Sequence, residues 1–207
     1  MTKTKNMKLL LTSAGFENKK VGEIFIYEIE KNPVEVKVLI VASARTPEEN
    51  FYVGESQKEL EQCGIKDISV YNLDRDIVFD ELKQYDVVYV CGGNTFFIYS
   101  QMKKFGFDVA IVEYIKTGGF YIGVSAGSVI PGPSIEIAGW GANGDKNDIG
   151  LKDLTGLKIV DFAISPHFKE EERDEIGEFQ SMVNYKVETL MDDQAILVKD
   201  SKIEKIN

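Results

Sequence analysis

Two segments, VKVLIVA at 36–42 and DVVYVCG at 86–92, are apolar almost without interruption. A strand with one wet face alternates apolar and polar residues, so an unbroken run of this length reads as a strand covered on both faces. Stretches of helical period lie between such runs. Val21, Ile24, Phe25 and Ile29 share a face over 18–31, and Phe107, Ile111, Tyr114 and Ile115 share one over 107–117. Further helices are expected from Pro47 to about Cys63, over 77–84 and over 95–104. MKLLLT at 7–12, DISVYNL at 67–73 and GFYIGV at 119–124 supply the remaining strands of this part. Strands alternating with helices predict an α/β fold of βαβ units, a mostly parallel sheet with helices on both faces.

The pattern changes after Ser125. Residues 131–156 are rich in Gly, Pro, Asn and Asp, which predicts a long loop region with one short strand at SIEIAG (134–139). KIVDFAI (158–164) reads as a strand and KEEERDEIGEFQSMVNY (169–185) as a helix with Ile176, Phe179 and Val183 inward. VETLMDDQAILVKDSKIEKI (187–206) reads as terminal antiparallel strands joined by tight turns. No repeat, low-complexity tract or linker interrupts the 207 residues, so a single domain over 1–207 is expected.

Composition limits the partners. The net charge of −10 argues against nucleic acid and anionic membrane, both of which need a basic face. The run Leu9-Leu10-Leu11 is too short for a signal-peptide core and reads as the first strand. Cys63 and Cys91 are taken as reduced thiols, which makes the cytoplasm the expected compartment. One histidine and two distant cysteines cannot make a Cys/His zinc site, and no Asp-rich calcium loop is present, so neither metal nor cofactor is expected.

The chemistry concentrates at strand ends. Gly123-Val124-Ser125-Ala126-Gly127 is a Gly-x-Ser-x-Gly pentapeptide running off a strand, the pattern of a nucleophile elbow, whose sharp turn admits only small neighbours. A plain strand-to-helix turn with a serine N-cap is the competing reading. Gly92-Gly93-Asn94-Thr95 follows another strand. Gly93 there can bring an N–H to a ligand, and with the N–H of Ala126 it would face a developing oxyanion. Asn94 and Thr95 either meet the substrate or cap a helix. His167, the sole histidine, lies just past a strand in SPHF; if Ser125 is a nucleophile, His167 is its base almost by elimination. The orienting acid stays open among Asp192, Asp193, Glu170, Glu171, Glu172, Asp145 and Asp148.

Gly92-Gly93-Asn94-Thr95-Phe96, Gly123-Val124-Ser125-Ala126-Gly127 and Pro166-His167-Phe168 together resemble the signature blocks of the aspartyl dipeptidase (peptidase E) family of serine peptidases, to which cyanophycinases are more distantly related. The likeness covers nearly the whole chain. It implies a class I glutamine-amidotransferase-like (flavodoxin-like) three-layer sandwich and a Ser-His-acid triad of Ser125, His167 and an acid. Gly93 and Ala126 would form the oxyanion hole. The family's third member is typically a glutamate after a leucine in a late strand–turn segment; this chain has Leu190-Met191-Asp192-Asp193, which carries the role to Asp192. The family holds an N-terminal Asp through basic residues near the histidine. Arg173, with Lys169 nearby, is the corresponding candidate here, and helix-surface charge is the alternative.

The expected function is a serine exopeptidase acting on dipeptides or other small peptides, some with an acidic N-terminal residue, as monomer or homodimer. Two rivals remain at this level. An esterase of the α/β-hydrolase type would need its acid between Ser125 and His167, at Asp145, Asp148 or Asp161. A binding module would keep the fold without the chemistry.

Overall fold

The computed structural model describes residues 7–43 and 47–207; residues 1–6, with the lysines that precede the first strand, lie outside that range. A seven-stranded sheet has the order β3-β2-β4-β5-β1-β8-β9. β1 (Lys8–Thr12), β2 (Lys37–Val41), β3 (Asp67–Tyr71), β4 (Val87–Val90) and β5 (Phe120–Val124) are parallel. β8 (Ala195–Lys199) runs antiparallel to β1, and β9 (Lys202–Ile206) antiparallel to β8. A separate two-stranded sheet joins β6 (Phe162–Ser165) to β7 (Lys186–Thr189).

Side chains leave a strand alternately to its two faces, and the apolar runs supply both. Leu9, Leu11, Val88, Val90 and Tyr121 pack under α4 (Thr95–Lys104) and α5 (Phe107–Lys116). Leu10, Val38, Ile40, Tyr89 and Ile122 pack against Val21 and Phe25 of α1 (Lys19–Glu28) and Leu60 of α2 (Pro47–Gln62). The result is a three-layer α/β sandwich, mostly parallel, with antiparallel strands at its C-terminal end. The short α3 (Phe79–Leu82) falls within the expected 77–84. α1 stops before the expected 31 because Glu30 turns to φ 52, out of helical space.

Three expectations from the sequence are corrected. SIEIAG forms no strand: Glu136–Gly139 is a 3₁₀ turn, because the Glu136 N–H donates to Ser134 Oγ and the Ala138 N–H to the Ile135 carbonyl rather than to a neighbouring strand. Residues 158–161 precede β6 rather than opening it; the Ile159 and Val160 N–H groups both donate to the Pro131 carbonyl. β7 is not an antiparallel terminal strand. It pairs parallel with β6 in the register Phe162↔Lys186 to Ser165↔Thr189, because α7 (Arg173–Met182) carries the chain back between them.

Cys63 and Cys91 are free. Burial pushes the Cys63 thiol up to about 11 and the Cys91 thiol up to about 12. An unfolded thiol ionises near 8.5, so these thiols favour the folded state fully below that pH and progressively less as pH rises toward 11–12. Burial raises Tyr89, Tyr114 and Tyr121 too, adding to the loss above pH 10. The midpoint of urea unfolding is expected to drop between pH 8 and pH 10.5; a flat midpoint across that range contradicts this account.

Candidate active site

Where parallel strands end, their loops converge, and ligand sites in open α/β sheets form at that edge. Thr12 ends β1 beside Val124 of β5, and Val90 ends β4 beside Gly123. Ser125 follows directly, with φ 50 and ψ −113, a conformation that L-residues rarely adopt. Its N–H is held by the Thr12 carbonyl at 3.1 Å. The tightness of the turn dictates its glycines. A Cβ on Gly123 would lie 2.2 Å from the Gly127 carbonyl oxygen, and one on Gly127 would lie 2.3 Å from that of Val90. The four-residue helix α6 (Ala126–Val129) starts immediately after the serine. Ser128 Oγ, buried below, lies 2.7 Å from the Thr12 carbonyl and 2.8 Å from that of Gly123, tying β1 to β5 under the turn.

The β6–β7 pairing brings the other two groups alongside. The ladder continues past the strands: the Leu190 N–H donates to the Ser165 carbonyl and the Phe168 N–H to the Leu190 carbonyl. His167, at the end of β6, therefore lies against the 190–194 turn after β7. Its Nε2 is 2.9 Å from Ser125 Oγ and its Nδ1 is 2.6 Å from Asp192 Oδ1. A carboxylate only accepts, so Nδ1 donates to Asp192, and a ring protonated only there presents the Nε2 lone pair to the serine hydroxyl. His167 and Asp192 side chains are both about half exposed (50% and 55%).

Of the acids left open by the sequence, only Asp192 pairs with the imidazole. Asp193 contributes its backbone carbonyl to Asn18 Nδ2. Asp145 Oδ2 accepts the Thr95 N–H at 2.7 Å, and Glu170 pairs with Arg173. The carboxylate partner thus follows the histidine in the chain, which removes the ordering that an α/β-hydrolase esterase requires. Gly93, at φ 129, adopts a backbone reserved for glycine. Neither its N–H nor that of Ala126 has a hydrogen-bonded partner among the described residues.

The cleft over Ser125 has a volume of about 280 Å³. Gly93, Thr95 and His167 line it, with Trp140 and Ile176 as apolar walls. Two expected binding residues are not there. Asn94 caps α4: its Oδ1 accepts the Phe97 N–H and its Nδ2 donates to the Lys146 carbonyl, so both ends of the amide are used. Arg173 opens α7, does not line the cleft and donates to Glu170 through both Nε and an Nη. Lys169 reaches the cleft instead. No cluster of three or more His, Cys, Asp or Glu among the described residues is placed to hold a metal ion.

The sequence reading does not single out Ser13, which is fully buried one residue past β1. Its Oγ accepts the His167 N–H at 2.7 Å and donates to Asp192 Oδ1 at 3.3 Å. The available signal was position: β1 is an interior strand whose C-terminal end faces the same edge as Ser125.

The profile of peptidase family S51 matches residues 9–206. The chain belongs to that family. It is a serine-type peptidase on a peptidase E fold. An uncharacterized peptidase of Listeria innocua is 33% identical over 205 residues, 95% of each chain. A peptidase E of Shewanella sp. is 34% identical over 87 residues, 42% of this chain and 35% of that one. A crystal structure of a Listeria monocytogenes protein described by name as a peptidase E superposes with a TM-score of 0.81 at 30% identity, covering 98% of both chains. A peptidase from an acI-B1 actinobacterium, 14% identical, shares the fold with a TM-score of 0.73 over 99% of this chain and 88% of its own. No helix among the described residues is long and apolar enough to cross a membrane.

Proposed function

We propose that this family S51 chain hydrolyses dipeptides and other short peptides through Ser125, His167 and Asp192. The observation carrying this is the unbroken line of hydrogen bonds from Ser125 Oγ through the imidazole to the Asp192 carboxylate, with the serine on a strained turn at the cleft floor. Nε2 takes the hydroxyl proton as Oγ attacks the scissile carbonyl. The Gly93 and Ala126 N–H groups, without a hydrogen-bonded partner among the described residues, receive the oxyanion. The imidazolium returns its proton to the leaving amine, and an ester to Ser125 remains. Water then gives its proton to Nε2 and its hydroxide to the acyl carbon, releasing the acid and restoring the serine. Asp192 holds the Nδ1 tautomer throughout.

The size of the cleft, at the small end of ligand pockets, suits a short peptide. Its charge bears on which one. Arg173, the residue expected to hold an acidic N-terminal side chain, is engaged by Glu170. Asp145, Glu172 and Glu175 line the cleft against Lys169. This balance favours peptides with a neutral or cationic N-terminal residue over Asp. In a panel of Asp-Leu, Ala-Leu and Lys-Leu at low salt, kcat/KM is expected to be lowest for Asp-Leu by about tenfold or more, the size of one to two unfavourable charge contacts. Fastest turnover of Asp-Leu sinks this specificity while leaving the triad standing.

A further inference from the structure

We infer that Ser13 is a positioning residue of the catalytic site, a fourth member that holds His167 and Asp192 in register with each other. The inference rests on the reading of Ser125, His167 and Asp192 as the triad. The Ser13 hydroxyl has one proton and donates it to Asp192 Oδ1, the same oxygen that accepts the imidazole Nδ1–H. Its lone pair accepts the backbone N–H of His167. One buried side chain therefore ties the histidine's main chain to the carboxylate that orients its ring.

Both tied groups need holding. His167 has φ 55, a left-handed backbone that is unfavourable for a residue with a side chain. Asp192 is more than half exposed, so water competes for its oxygens and the carboxylate is free to swing outward. Ser13 has no such freedom. It is 0% exposed, and its N–H donates to the Gln194 carbonyl at 3.2 Å, fastening the 191–194 turn to the end of β1. That turn closes on itself through the Gln194 N–H to the Met191 carbonyl and the Met191 N–H to Gln194 Oε1. Ser13 thus joins the end of β1 directly to both members of the His–Asp pair, at the point where the 191–194 turn enters β8 of the central sheet. Ser13 does not line the cleft, so it acts only through geometry, and displacements of about 1 Å cost up to about 10²-fold in rate.

Ser13→Ala is the test, read in two independent ways. On peptide hydrolysis, kcat is expected to fall by about 10- to 100-fold with KM within about twofold, and Ser13→Thr, which keeps the hydroxyl, is expected to regain most of the loss. On the ring itself, His167 is the only histidine of the chain, so its imidazole proton resonances need no assignment by mutation. The downfield Nδ1 proton is expected in wild type and broadened by solvent exchange in Ser13→Ala. Unchanged kcat per folded molecule with an intact Nδ1 resonance overturns the inference. If wild type neither cleaves peptides nor takes a serine-directed fluorophosphonate, the proposed function fails, and the resonance still decides what Ser13 does. If Ser13→Ala does not fold, hydrogen exchange of the His167 amide in wild type decides instead. Protection supports the bridge, and exchange at the rate of an exposed amide overturns it.

Discussion

Ser125→Ala is expected to lower kcat/KM for dipeptides by at least about 10⁴-fold, with KM little changed. The side chain's oxygen has one hydrogen-bonded partner among the described residues, His167 Nε2, so its removal deletes the proposed nucleophile and leaves the cleft, the Gly93 and Ala126 N–H groups and the fold in place. Thermal stability is expected to hold within about 1 °C, because a half-exposed hydrogen bond contributes little to the net free energy of folding. His167→Ala should lose a comparable factor and also abolish fluorophosphonate labelling of Ser125, since the hydroxyl then has no base within reach. The two losses should not add, because the residues act as one unit. Retention of wild-type hydrolysis by Ser125→Ala would refute the proposed mechanism outright. Loss in Ser125→Ala combined with full activity in His167→Ala would move the base elsewhere.

The second large effect belongs to the turn. Gly123→Ala is expected to destabilise the fold by about 3 kcal/mol or more and to eliminate labelling of Ser125 in whatever fraction stays folded. The new Cβ would meet backbone on every side: the Gly127 carbonyl oxygen at 2.2 Å, its carbon at 2.5 Å and the Ser128 nitrogen at 2.8 Å. No side chain can rotate away to make room. Relief requires α6 to lift from β5, which pulls Ser125 off its φ of 50 and breaks the Ser128 hydroxyl's contacts with Thr12 and Gly123 beneath it. Urea unfolding measures the stability cost, and probe labelling of the native fraction reads the geometry. A variant as stable as wild type would mean that the turn is looser than these distances imply.

Legibility in the sequence followed burial. β1, β2, β4 and β5 are interior strands whose side chains are apolar on both faces, so their runs are visible without any partner in view. β7 has no such signature; none of its residues is fully buried, and Lys186 and Glu188 pair with each other along it. Its parallel alignment with β6 is a choice of partner, and a four-residue strand without a continuous apolar run does not announce its partner. SIEIAG failed for a related reason: isoleucines two apart fit a strand, but the Ser134 hydroxyl captured the backbone locally. Arg173 shows the same limit for charges, because a helix places it three residues from Glu170 as readily as it could have pointed it at a ligand.

By itself the sequence determined the layered α/β architecture, because unbroken apolar runs can be satisfied only with helices on both faces. It also singled out the two candidate reactive side chains: Ser125, through the glycines around it, and His167, the one histidine of the chain. The tertiary structure alone decided the rest. Asp192 rather than Asp193 faces the ring, Arg173 turns away, and Ser13 comes to lie between histidine and acid. The placing of Asp192 and Ser13 depends on which strand ends meet at one edge of the sheet, a matter of contacts between segments up to 179 residues apart that no local pattern encodes.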